Sequence, residues 1–224
     1  MKVLSIDWDY FIDASCDDRI MYFPDGGNEN MCEMLQNIVW GSRYMDKHLK
    51  TFGVRDFEFI KNVLLKASKN SNKVKVCVRD SHKEAYPFIV SKRKSLRDIE
   101  IYNIDFHHDV YDFNRGVDCG NWALRCFEMG AKVFWLGRED SDDSAVKYDK
   151  GVLSRISEDD ILKQEFTHIF LCRSSMWSPP HLDTYFIELI HFMIKECGFT
   201  VDVCDALLRE RTIMDMSYRC GMEG

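Results

Sequence analysis

No run of apolar residues in this chain approaches the roughly 18 that cross a membrane, no two cysteines form a C-x-x-C pair, and no Pro/Gly/Ser-rich stretch divides it. Each absence narrows the reading. Without an apolar span, and with Met1 leading straight into "KVLSI" instead of a basic segment and an apolar core, the expectation is a cytoplasmic protein that engages no membrane. Without a linker, repeat or low-complexity tract, residues 1–224 are expected to form a single domain, long enough to bury a core unaided by staples. The nine cysteines are an odd number scattered mostly through apolar runs, which suits reduced core thiols better than a disulfide framework or a zinc knuckle. A basic surplus is missing as well. The formal charge of −7 disfavours nucleic acid as a partner and suits a cationic substrate.

What is present alternates. Short β-branched runs at 3–6, 73–78, 99–104, 132–136, 168–172 and 199–203 are separated by segments with apolar residues three and four apart, at 57–67, 121–129 and 182–196. Strands alternating with helices imply βαβ units, hence a three-layer α/β/α fold around a mostly parallel sheet. Residues 13–55 are less regular: "FPDGGNEN" reads as a loop, and the region is expected to hold an insertion or a lid. A homo-oligomer is left open.

Ligands of open parallel sheets bind beyond the carboxyl ends of the strands. Three predicted strands end alike: "SIDWD" with Asp7 and Asp9, "VRDSH" with Asp80 and His82, and "NIDFHHD" with Asp105, His107, His108 and Asp109. Random order of this composition yields D-x-D about 2.5 times but D-x-H-x-D only about 0.08 times, so the second motif is the informative one. Period-two geometry would point Asp7 with Asp9, and Asp105 with His107 and Asp109, while His108 faces away. Crowded carboxylates are costly unless cations lie among them. Mixed oxygen and nitrogen ligands suit two divalent ions sharing carboxylates, Mn²⁺ foremost. The bland alternatives are helix caps or turn residues for Asp7 and Asp9, and a surface or capping role for His82.

"DFHHD" resembles the D-x-H-x-D metal motif of the arginase/ureohydrolase superfamily, and "IDWD" resembles its D-x-D motif. His82 precedes Asp105 by a spacing similar to that of the extra histidine ligand in arginases. The order departs from ordinary arginases, because D-x-D here opens the chain. Together with "CGNW" at 119–122, that order is closer to a divergent arginase-like group with peptide arginases among its members, enzymes that convert arginines of a ribosomal precursor peptide into ornithine. The resemblance implies an arginase-like fold and two divalent ions. Asp7 and Asp105 would bridge them, His82 and Asp109 would complete one shell, and His107 and Asp9 the other. It also implies attack of a metal-bridging hydroxide on the guanidinium carbon, with Asp109 in the catalytic centre. His108 is a candidate proton donor to the leaving amine, since no residue matches the family's proton-shuttling histidine. The residues that bind free arginine are not evident, which agrees with an arginine-containing precursor peptide as substrate.

Candidate substrate contacts are Asn121 and Trp122, the latter flanking a guanidinium by cation–π contact, with Glu139 and Arg173 at two other strand ends. Asn121 and Trp122 read equally well as a helix start and a core aromatic, and Glu139 as a solvated residue beside "SDDS". Three rivals compete: a haloacid-dehalogenase-type phosphatase with Asp7 as nucleophile, a ureohydrolase of a free small guanidino compound, and a metal-stabilised binding protein without turnover.

Overall fold

A computed structural model describes residues 1–24, 31–69, 74–112, 116–141, 143 and 151–213. The loop expected at 25–30, Lys73 at the start of a predicted strand, Asp142 and Ser144 of "SDDS", and Cys220 lie outside the described residues. Seven parallel strands form one sheet: β1 (Lys2–Asp7), β2 (Lys75–Arg79), β3 (Glu100–Ile104), β4 (Lys132–Leu136), β5 (Leu153–Arg155), β6 (His168–Cys172) and β7 (Val201–Asp202). Their order is β5-β4-β3-β1-β6-β2-β7. Strand β1 is central, between β3 and β6.

Alternation along the strands feeds two cores. Leu4, Ile6, Tyr102, Ile104, Ile169 and Leu171 point to one face, where α3 (Phe57–Ser68), α6 (Glu158–Leu162) and α7 (Asp183–Lys195) pack. Val3, Ile101, Phe170 and Cys172 point to the other, covered by α4 (Ala85–Val90) and α5 (Trp122–Glu128). The three-layer α/β/α arrangement follows from this two-sided burial. Among the described residues no helix is long and apolar enough to cross a membrane. The eight described cysteines are free thiols, of which Cys77, Cys126, Cys172 and Cys197 are buried, whereas Cys32 and Cys204 are exposed.

The irregular region after β1 folds onto the sheet's carboxyl end. Its helices are α1 (Cys16–Tyr22), opened by a reciprocal Ser15–Asp18 capping box, and α2 (Glu33–Arg43). They enclose a third core of Ile12, Ala14, Phe23, Trp40, Leu49, Phe52 and Leu182. The Trp40 indole donates to the Ser175 carbonyl at 2.7 Å. The described residues of the segment expected as an insertion or lid, 13–24 and 31–55, are therefore packed into the structure beside the strand tips.

Candidate metal centre

Period two fixes the floor of the site. Ser5 on β1 registers with Asn103 on β3, and two residues further each chain presents a carboxylate on the same face, Asp7 and Asp105. Ser5 Oγ lies 2.8 Å from His82 Nε2, and Asn103 Nδ2 donates to Asp105 Oδ2 at 3.1 Å. Past the strands the extended expectation fails. Trp8–Phe11 is a 3-10 turn capped by Asp7, whose Oδ1 accepts the Asp9 N–H at 3.0 Å. Asp7 thus both caps and faces the site. After β3 the chain also turns: Asp105 Oδ1 accepts the His107 N–H at 2.8 Å, and Asp109 adopts a left-handed φ of 55°. These turns divide the side chains between two clusters instead of lining them up.

In the first cluster, His82 Nδ1 lies 3.0 Å from Asp7 Oδ2, 3.2 Å from Asp105 Oδ2 and 3.0 Å from Asp109 Oδ2. In the second, His107 Nδ1 lies 3.1 Å from Asp9 Oδ2 and 4.0 Å from Asp105 Oδ1. Asp7, His82 and Asp105 form one set able to hold an ion, and Asp9, Asp105 and His107 form another, with Asp105 in both. Asp7, by contrast, belongs to the first set alone. His82 Nδ1 and Asp9 Oδ2 are buried without a well-directed hydrogen bond. One buried orphan in each set is what a site built for a cation presents, so the residues fit divalent ions.

The electrostatics of the metal-free cluster agree. Burial and the charges of Asp9 and Asp105 push Asp7 up to about 6, and burial with the Asp109 charge raises Asp105. Burial disfavours the imidazolium of His82, yet Asp109, Asp105 and Asp7 outweigh it and hold the ring protonated. Burial acts the same way on His107, which Asp9 lifts to about 9. Burial would raise Asp9, but His107 and Arg19 keep it below the usual carboxylate range. Bound protons stand where cations would neutralise the carboxylates.

Surrounding groups hold the ligands still. The Trp122 indole donates to Asp109 Oδ2 at 2.5 Å and its ring lies 4.8 Å from that of His82. Ser174, at a left-handed φ of 49°, donates its hydroxyl to Asp7 Oδ2 at 2.6 Å. From α1, Arg19 reaches 3.7 Å from Asp9 Oδ2, donates to the carbonyls of Asp9 and Ile12, and stacks 3.9 Å from the Phe106 ring. Arg19 escapes sequence reasoning. The capping-box pattern Ser15-x-x-Asp18 marks the helix that carries Arg19, but nothing local marks its target.

No family model, curated protein or solved structure matches this chain. The site therefore rests on its geometry, which also places the remaining candidates. His108 packs against Tyr111 and Trp135, and its Nδ1 accepts the Val110 N–H at 3.1 Å, which puts the ring proton on Nε2. Asn121 precedes α5 with its amide bound to the Asp118 N–H and the Gly116 carbonyl, holding the loop. Trp122 is fully buried, as its reading as a core aromatic has it, with its indole N–H on Asp109. Glu139 is exposed, while its neighbour Asp140 pairs with Arg138 at 3.0 Å and accepts the Cys16 N–H that opens α1. Arg173 is buried with Nε on Asp80 at 2.9 Å and on Ser175 Oγ at 3.0 Å. These contacts support the ligands and the loops around them.

Proposed function

We propose that the protein hydrolyses guanidinium groups of arginine side chains within a peptide. Water adds to the guanidinium carbon, the bond from that carbon to the side-chain nitrogen breaks, urea leaves, and the freed amine of ornithine takes the proton. The observation that carries this reading is the pair of buried ligand sets meeting at Asp105, each with an orphaned donor or acceptor. Asp7, His82, Asp105 and Asp109 would hold one divalent ion, and Asp9, Asp105 and His107 the other, Mn²⁺ being favoured by the oxygen-rich mixed set. Such ions supply Lewis acidity and make water nucleophilic at neutral pH.

The chain's own residues do the rest. The formal charge of −7 over the whole chain favours approach of a cationic side chain. Ser5, Asn103, Trp122 and Ser174 fix the ligands' orientation, so little reorganisation accompanies the reaction. His107 keeps 28% side-chain exposure against 5% or less for Asp7, Asp9, His82, Asp105 and Asp109, which makes its edge the approach from solvent. The resemblance of "IDWD" and "CGNW" to the peptide-arginase pattern favours a peptide over the free amino acid.

Incubation of Mn²⁺-loaded protein with an arginine-containing peptide tests the proposal by mass. Each arginine converted lowers the mass by about 42 Da as urea appears. Unchanged peptide alongside urea from free arginine or agmatine would move the reading to a small guanidino substrate. Phosphate release from a phosphomonoester that survives His107→Ala would move it to a phosphatase.

A further inference from the structure

Residues 169–180 run from β6 through the loop beside the cluster, and all of them are buried except Trp177. That one open position is held firmly. The Trp177 N–H donates to the Ser174 carbonyl at 2.7 Å, and the Ser178 hydroxyl donates to the carbonyls of Arg173 and Ser174 at 2.7 and 3.0 Å. The buried Arg211 guanidinium, paired with Asp183 at 2.6 Å, donates to the carbonyls of Ser175 and Ser178, and Trp40 reaches Ser175 from α2. Elements far apart in sequence converge to fix a loop whose single half-open side chain is a large aromatic. Its ring lies 5.0 Å from that of His107, tilted by 58°.

His107 is also the most exposed of the candidate ligands, so whatever reaches the cluster from solvent beside it passes the Trp177 face. Indole is the strongest cation–π partner among side chains, and a planar guanidinium stacks on it while its edge stays free for carboxylates. We propose that Trp177 is the aromatic wall on which the substrate's flat cationic group lies as it enters beside His107. This inference rests on the guanidinium reading above and assigns to Trp177 the stacking role that the fully buried Trp122 cannot fill.

The test uses the full chain loaded with Mn²⁺ and two fluorescein-labelled peptides, one carrying a single arginine and its twin carrying the neutral citrulline. Stopped-flow anisotropy reads binding before turnover. Trp177→Ala is expected to weaken the arginine peptide about 5- to 30-fold and the citrulline twin about twofold at most, with Trp177→Phe between wild type and Ala and metal content unchanged. Equal weakening of both peptides, no weakening, or a wild type that does not prefer arginine would overturn the wall. Arginine-selective binding that depends on Trp177 without urea formation would leave the wall standing and remove the hydrolase. Peptide turnover with an unchanged KM in Trp177→Ala would do the reverse.

Discussion

Asp105→Asn is the sharpest perturbation, because Asp105 is the residue common to both ligand sets. At Mn²⁺ a hundredfold above the dissociation constant, one site stabilises a fold by about 2.7 kcal/mol, and two independent sites by about twice that. Each kcal/mol moves the melting temperature of a chain this size by roughly 2–4 °C, so the wild type should gain about 10–20 °C. Asp105→Asn removes an anionic ligand from both sets and is expected to gain less than about 3 °C. Asp109→Asn weakens only the His82 set and should lose about half of the wild-type gain. Without metal the direction reverses. Asp105 is raised by burial and by the Asp109 charge, so the neutral amide relieves repulsion and leaves the metal-free fold at least as stable as wild type. Scanning calorimetry with and without Mn²⁺, paired with elemental analysis of bound metal, reads both halves. A variant that keeps two ions and the full melting shift would refute the shared-carboxylate geometry.

Trp122→Phe should weaken Mn²⁺ binding about 10- to 100-fold in a direct titration, because Asp109 loses the donor that aims it at His82. Arg19→Met should destabilise the metal-free protein by about 3–5 kcal/mol in urea melts, since it leaves Asp9 buried beside one cation fewer, takes the guanidinium from the Ala14 carbonyl, and takes one of several donors from the carbonyls of Asp9 and Ile12. The pH response has a fixed sign. His107 is raised from 6.5 to about 9 and Asp7 from 3.8 to about 6. Both hold a proton more tightly folded than unfolded, so they contribute stability that is complete below their unfolded values and lost as pH rises through the folded ones. His168, lowered to about 4 by burial, contributes in the opposite sense between about pH 4 and 6.5, so metal-free protein should melt at progressively lower temperature from about pH 6.5 to 9, while apparent Mn²⁺ affinity, which requires bound protons to leave, climbs over the same interval; parallel melts and titrations check it.

Strands announce themselves in this sequence where burial on both faces demands uninterrupted apolar residues, as in "VLSI" and "HIFLC", and the predicted runs at 132–136 and 168–172 coincide with β4 and β6. The edge strand β5 does not: its three residues include the exposed Ser154 and Arg155 and carry no full pattern, whereas β7, two residues long, falls inside the predicted run at 199–203. At the site, the residue types in D-x-D and D-x-H-x-D mark the ligands, but extended geometry misplaces them, because the turns after β1 and β3 decide which cluster each side chain joins. Supporting residues were legible only as candidates for something else. Trp122 follows β3 and reads either as a substrate contact or as a core aromatic, and its neighbours in space are Asp109 and His82. Trp177 sits in a Pro-terminated loop whose sequence says nothing about the ring of His107 beyond the next strand.

Strand order has a consequence for biosynthesis. Asp7 and His82 come from β1 and the end of β2, yet β6, residues 168–172, lies between those two strands. A nascent chain that has already exposed both residues still lacks the wedge that sets their separation. Assembly of the His82 set should thus await emergence of residues 168–172, and fragments ending before residue 168 should bind no ion there, whereas the Asp9, Asp105 and His107 set follows β1 and β3, which pair directly.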